Sequence, residues 1–488
     1  MTPNPSLDGS AGLAALEARL AEDLSRLELP ARRWVFPRTH EGAPVLDVAV
    51  IGAGQFGLAA SAALRHLGIE AINFDAAPEG FEGPWATTAR METLRSPKEL
   101  TGPALGFASL TFRAWFESQW GKTAWAALDK IPRLQWMDYL RWYRKVMALD
   151  VRNQHTVTQI EPLPDGLVRL SMDTPSGPQV QTARRVVLAT GYDGLGGRRL
   201  PAFVDGLPTD RWCHSSDVFD FNRLRGLRVG VVGAGASSMD SAASALEAGA
   251  ASVDLLIRRR DIPRINKVKG AGNSGFSFGH WDLADEDKWR IRHYINVQQV
   301  PPPRASVQRV SRHANARFHL GCPVLDVQAV GDGLRVTTPE QTLDFDFMVF
   351  STGFHIDWSE RAAFAPFAAH VRSWGDRFVA PPGQEDAELA SSPDLGRAFE
   401  LQERVPGACP GLDHIHCFNF PSALTHGYVS GDIPGISVAA RRLSEGIASL
   451  LYRENFPRYF EAIEAFAEPE VFGDEWTPYR PQKESIAS

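Results

Sequence analysis

Glycines at 52, 54 and 57, and again at 233 and 235 with Ser238 closing the second set, are the residues whose spacing most directly implies chemistry. Each set follows an apolar run, ending in Ile51 or Val232, and opens a segment of helical periodicity. Such a turn lets backbone N–H groups and the positive end of a helix approach a pyrophosphate, which side chains on the glycines would block. Both units continue into a second apolar run, and the residues that end those runs differ in sign. Asp75 closes IEAINFD, about twenty residues past the first glycines, where a carboxylate can accept from an adenosine ribose. Arg258, followed by Arg259 and Arg260, closes SVDLLI in the second unit. A guanidinium there can pair with a ribose 2′-phosphate that a carboxylate would repel. Two units imply two dinucleotides, and the second reads as an NADPH site with NADH as the alternative.

Two strand endings repeat as well. RRVVLATGY puts Thr190 and Gly191, and LDFDFMVFSTGF puts Thr352 and Gly353, at the ends of apolar strands before and after the second unit. The repetition suggests that this unit is inserted into the first domain. Later, Gly431 and Asp432 precede a helix start at Gly435. The carboxylate can hold a ribitol hydroxyl there, and the helix N-terminus can face the pyrimidine edge of a flavin. The first unit therefore reads as an FAD site. Cys409, His414, His416 and Cys417 lie close together, but their spacing matches no zinc finger or knuckle, so no metal is expected.

The elements that must position these residues are those of an α/β protein: two Rossmann-like domains, for FAD and NAD(P), the second inserted into the first, with small antiparallel β layers. We divide the chain into an N-terminal extension (1–44), an FAD-binding domain (45–225 and 341–452), an inserted NAD(P)-binding domain (226–340) and a C-terminal tail (453–488). The extension carries an amphipathic helix over Ala11 to Leu27. The long stretch after Asp75 is too rich in Gly, Pro and Thr for regular structure, and its place beyond a strand end puts it over the cofactor crevice. Trp136 to Leu149 reads as a helix, His155 to Leu170 as antiparallel strands, and antiparallel strands resume from about Arg317.

With 488 residues, 44% of them hydrophobic and 22% charged, the chain is ordinary globular protein. A net charge of -7 provides no footprint for nucleic acid or an anionic membrane. No apolar run is long enough to span a bilayer and no secretory signal opens the sequence. The four cysteines show no close pairing, so a reduced, cytoplasmic protein is expected, and a disulfide-reductase chemistry lacks its thiol pair.

The pair GAGQFG and GAGASS, the endings ATGY and STGF, and the closing HGYVSGDIPG together resemble the two-dinucleotide, class B-like flavoprotein monooxygenases: the flavin-containing monooxygenases, the Baeyer-Villiger enzymes and the lysine and ornithine N-hydroxylases. The resemblance runs from about Leu46 to Leu451. It implies an FAD-dependent, NAD(P)H-consuming enzyme that inserts one atom of O2 into a small organic substrate through a flavin C4a-(hydro)peroxide. The oxygenation would be of nitrogen, sulfur, a ketone or a heterocycle, urate-like substrates included. Phe203, Gly206, His214 and Phe219 supply the family's inter-unit fingerprint at stretched spacing, so His214 is a candidate for orienting the nicotinamide or a linker. The resemblance to N-hydroxylases implies substrate or nicotinamide contacts from Asn273, Asn296 and Lys98, and Phe81, Trp85, Trp115, Phe276 and Trp281 are candidate walls of a dry flavin site. A homo-oligomer is compatible with all of this. The alternative is a non-oxygenating FAD/NAD(P) oxidoreductase, or a cofactor-binding protein without catalysis.

Overall fold

The computed structural model describes residues 7–192 and 194–480. Its centre is a seven-stranded sheet built on β1 (Leu46–Ile51), whose residues, apart from the buried Asp47 paired with Arg33, are apolar without alternation because both faces are covered. Helix α1 (Leu7–Arg26) precedes it and buries Leu16 and Leu20, so the extension is part of the core. After β1 comes α2 (Gln55–His66), rich in alanine, which lets the helix lie close on the sheet, and then β2 (Ala71–Asp75), parallel to β1 with Ile51 beside Phe74.

The stretch between β2 and the next helices has little regular structure, as expected, yet it is held from below. Helices α3 (Phe112–Ala127, kinked at Gly121) and α4 (Arg133–Val146) pack an aromatic cluster that includes Phe112, Trp115, Trp136 and Tyr139. The buried hydroxyls of Tyr139 and Tyr143 donate to the carbonyls of Leu110 and Pro103 at 2.7 and 2.8 Å. Those bonds satisfy carbonyls that an irregular segment cannot pair for itself.

Strand β3 (Asp150–Asn153) adds to β2 in parallel, and β4 (Thr156–Leu163), β5 (Leu167–Thr174) and the long β6 (Gly177–Leu188) form an antiparallel meander. The carboxyl half of β6 lies parallel to β1.

A second sheet of five strands is wholly parallel. In spatial order it comprises β7 (Trp212–His214), a strand from Phe347 to Phe350, then β8 (Arg228–Val232), β9 (Ser252–Ile257) and β10 (Ala316–Leu320). Helices α5 (Ala236–Glu247), α6 (Ser274–Gly279), α7 (Asp285–Gln298) and α8 (Arg304–Ser311) lie between these strands in the chain. Strands β11 (Asp326–Val330), β12 (Gly333–Thr337) and β13 (Thr342–Phe345) make a separate antiparallel layer, and the Phe347–Phe350 strand is β14.

Two sequence expectations change here. Residues 316–320 pair with β9 in parallel, so the antiparallel layer starts later than Arg317. The strands at 212–214 and 347–350, assigned by sequence to the FAD-binding domain, belong to the second sheet. The reason is that β8 is a central strand and must be hydrogen-bonded on both edges; β14 supplies the edge opposite β9, with Val232 beside Phe350.

The chain then returns to the first sheet. Strand β15 (Ile415–Cys417) runs parallel to β6, the short α9 (Ala423–His426) follows, and α10 (Ile436–Glu454) packs on α2 before α11 (Phe456–Ala465). No helix among the described residues is long and apolar enough to cross a membrane.

Candidate active site

The two glycine turns have the same construction. Gly52 has φ +104°, and a Cβ on it would lie 2.6 Å from the Ala189 carbonyl oxygen at the end of β6. Gly233 has φ +129°, and its Cβ would lie 2.7 Å from the Ser351 carbonyl oxygen at the end of β14. The repeated ATG and STG endings are thus the strands that abut the two turns, which is why each follows the same pattern. At Gly57 a Cβ would fall 2.1 Å from the Gly52 oxygen, so helix and turn touch through backbone. Ser238 occupies the matching place in the second unit; it is fully buried and its hydroxyl donates to the Gly235 carbonyl at 2.7 Å. Gly54 and Gly235 differ from these: a Cβ on Gly54 would meet only the Cα of Gly83, at 3.8 Å, and one on Gly235 nothing within 4 Å. The space over each turn is therefore kept free of protein, as two pyrophosphates require.

Asp75 is tied to its turn. Its carboxylate accepts from the Ala53 N–H at 2.7 Å and the Ala77 N–H at 2.8 Å. Burial raises its pKa, and the two N–H groups pull it back down. Each oxygen keeps a further lone pair for a ribose hydroxyl. A cavity of about 300 Å³ opens beside this turn, walled by Ala53, Leu58, Met137 and Leu140 and edged by Glu82 and Arg144. Trp85 is half-buried against the cluster that includes α2, and its carbonyl accepts from Arg133.

At the second turn, Arg258 is exposed at the end of β9, with no hydrogen bond or ion pair to any described residue. Its neighbour Arg259 donates to the Val297 carbonyl at 3.3 Å. Thr190 and Gly191 stand past β6, where the Thr190 hydroxyl accepts from Asn419 at 3.1 Å. The Thr352 hydroxyl donates to the Arg199 carbonyl, and the Gly353 carbonyl accepts from the Arg199 N–H.

His214, at the end of β7, is wholly buried in the connection between the two sheets. Its Nδ1 meets the Ser216 hydroxyl at 2.7 Å and its own N–H donates to Asp217 at 2.8 Å. Burial pushes its pKa down to about 4, so the ring is neutral. Arg90, from the long loop, donates to the carbonyls of Ser215 and Asp217 and lies over the Phe221 ring. The loop is in this way fastened to the connection between the sheets.

Three sequence candidates have other employment. The Lys98 ammonium donates to the carbonyls of Trp125, Ala126 and Leu128, satisfying the orphan carbonyls that end α3. A lysine so engaged is not held out for a substrate. The Asn273 side-chain oxygen accepts from the Phe276 N–H at 2.9 Å as the N-cap of α6, and the Asn296 amide donates to Asp386 at 3.2 Å. The four residues weighed for a metal also go separate ways. His414 bonds the Arg184 carbonyl, His416 the Ala398 carbonyl and Cys417 the Asn419 side chain, while Cys409 is buried unpaired.

What the fold does assemble is an aromatic cluster where β6, α7 and the segment before α10 meet. Tyr192 stacks on Phe420 with ring centroids 4.3 Å apart and donates to the Gly431 carbonyl next to Asp432. Arg292 of α7 lies over both Phe420 and Tyr428, 5.5 and 4.8 Å from the ring centroids. Phe276 packs between Tyr428 and His280, and Trp281 stacks on His426. His280 is buried, with Nε2 at 3.1 Å from the Leu424 carbonyl; burial pushes its pKa down to about 4. The ring is therefore neutral, Nε2 carries the proton, and Nδ1 is a bare acceptor without a partner. Sequence reasoning named Phe276 and Trp281 as candidate walls but not Tyr192, His280, Arg292, Phe420 or Tyr428. The stretches GYDG and HGYVSGD carried a partial signal for the two tyrosines; nothing local marked Arg292 among the charges of α7.

Two abutted glycine turns, with opposite charges at the ends of the strands that follow, define a two-dinucleotide fold. Residues 49–270 match the family model of pyridine nucleotide-disulphide oxidoreductases. The fold is shared with an ornithine hydroxylase from Pseudomonas aeruginosa (TM-score 0.65, 16% identity, covering 83% of this chain and 100% of that one). It is shared too with an L-lysine 6-monooxygenase from Pseudomonas syringae (TM-score 0.62, 18% identity, 84% and 99%). An FAD-dependent urate hydroxylase from Xanthomonas campestris pv. campestris is 39% identical over 464 residues, 94% of this chain and 98% of that protein. The chain belongs to the family of FAD-dependent monooxygenases that includes this hydroxylase.

Proposed function

We propose that this protein uses FAD and NADPH to insert one oxygen atom of O2 into a urate-like purine. The carrying observation is the 39% identity to a urate hydroxylase along nearly the whole of both chains. The geometry supports it with two protein-free turns of the right construction. In this reading Gly52, Gly54, Gly57 and Asp75 hold FAD at the first turn, with Trp85, Thr190, Gly191 and Asp432 along its length. Gly233, Gly235, Ser238 and Arg258 hold NADPH at the second, with Thr352 and Gly353 beside it. Bound FAD supplies the oxygen chemistry and NADPH the electrons. The chain's own residues bind, orient and keep water out. His214, neutral and buried, orients the connection beside Gly353 and does not move a proton near neutral pH. Electrons and oxygen balance with one NADPH and one O2 consumed per substrate, the second oxygen atom leaving as water.

The test is simultaneous measurement of NADPH oxidation, oxygen uptake and urate loss by the purified yellow protein. The expected result is equal rates, with NADPH and oxygen consumption falling steeply when urate is omitted. NADPH consumption indifferent to urate, or proceeding without oxygen, would overturn the reading.

A further inference from the structure

Arg292 stands apart from the other inward-facing arginines. Arg442 donates to Ser277 and His426, Arg309 pairs with Glu247 at 2.7 Å, Arg90 donates to two carbonyls, and Arg185 pairs with Glu454. Arg292 has no carboxylate or carbonyl partner among the described residues; its polar neighbour is the Tyr428 hydroxyl, while its Nε is shut off from solvent without an acceptor. Arg292 is half-buried, and an Nε–H closed off from water costs free energy unless an acceptor reaches it. The rings of Phe420 and Tyr428 keep it flat and in place, which lowers the entropy lost when a partner binds. It lies beside the residues that the proposed flavin site uses, since Phe420 stacks on Tyr192 just past Gly191, and Tyr428 precedes Asp432.

Resting on the urate-like reading above, we propose that Arg292 is the specificity-determining residue that receives the anionic edge of a planar heterocyclic substrate. The chemistry of the cluster selects that ligand class. The planar fork matches a delocalised anion in a bidentate way, and the bare Nδ1 of His280 places an unused acceptor in the same cluster. The same cation repels an ammonium, so an aliphatic amine such as ornithine is disfavoured at this site despite the shared fold.

The experiment compares the full-length, flavin-loaded protein with Arg292→Ala and Arg292→Lys. Binding of urate, benzoate and the neutral purine hypoxanthine is followed by perturbation of the flavin spectrum, and the KM values for urate and NADPH are measured beside it. Losing the charge-assisted bonds should weaken urate binding on the order of 30-fold in Arg292→Ala, with partial rescue by lysine. Flavin content and hypoxanthine binding should be retained. Loss of flavin, a raised KM for NADPH alone, or unchanged urate binding in both variants would overturn the assignment. A wild type that binds benzoate through Arg292 but not urate would refute the urate reading and keep the anion site; one that binds neither would refute both.

Discussion

Gly235→Ala separates binding from folding. The backbone at Gly235 is extended, with φ -82° and ψ -176°, which alanine adopts without strain, and the added Cβ meets no protein atom within 4 Å. Two small effects on stability oppose each other. Alanine restricts the unfolded chain by about 0.4–1 kcal/mol, and as an N-cap it is worse than glycine by about the same amount. The melting temperature should therefore stay within a few degrees. The methyl group instead fills the space over the second turn, where a pyrophosphate would meet the N–H groups opening α5. Displacing it weakens one or two charge-assisted hydrogen bonds, about 3 kcal/mol in all, or on the order of 100-fold in KM for NADPH. Flavin content should not change. Gly233→Ala is the contrasting variant: positive φ and an approach of 2.7 Å to the Ser351 oxygen make it destabilising by roughly 2 kcal/mol or more. Thermal unfolding, flavin absorbance and stopped-flow reduction under nitrogen read all three quantities. A folded, flavin-loaded Gly235→Ala protein with wild-type KM for NADPH would refute the assignment of the second turn.

Arg258→Ala should raise KM for NADPH about tenfold and leave KM for NADH alone, since the lost contact is to the 2′-phosphate; equal effects on the two nucleotides would place that phosphate elsewhere. Lys98→Met should cost about 1–2 kcal/mol of stability through the freed carbonyls ending α3, with KM for substrate unchanged; a tenfold rise in KM at normal melting temperature would return Lys98 to the substrate. Burial holds His66, His214 and His280 down to about 4 and His416 to about 3. Their folded values lie below the unfolded value of about 6.5, so falling pH protonates the unfolded chain first. Stability is then indifferent to pH above about 7 and is lost between about 6.5 and 4, by up to roughly 3 kcal/mol per residue. Calorimetry should show the melting temperature dropping across that window with proton uptake on unfolding; a flat profile down to pH 5 would contradict it.

The parts legible in the sequence are those whose meaning is local. Gly52 to Asp75 and Gly233 to Arg258 state strand, turn, helix and strand within about thirty residues, the length of one unit of this kind. The pairing of the strand FMVF with Val229–Val232 was not legible, because a short continuous apolar run shows that it is buried on both faces, not beside which neighbour. Lys98 looked free because the helix end it serves lies almost thirty positions further on. Arg292 was invisible for a stronger reason. Its significance is an Nε closed off without an acceptor, and that can be seen only once Phe420 and Tyr428 have been folded against α7.

The two segments that carry the chain between the sheets are not independent tethers. Residues 196–198 on the way out pair antiparallel with 354–356 on the way back, Gly197 opposite His355. Mechanically this is a two-ply strap, stiff against twisting and compliant to bending across its plane. Any displacement of the second sheet relative to the first must therefore bend both segments together. Because each ply follows the strand that abuts a glycine turn, a load on the strap is passed to both turns together.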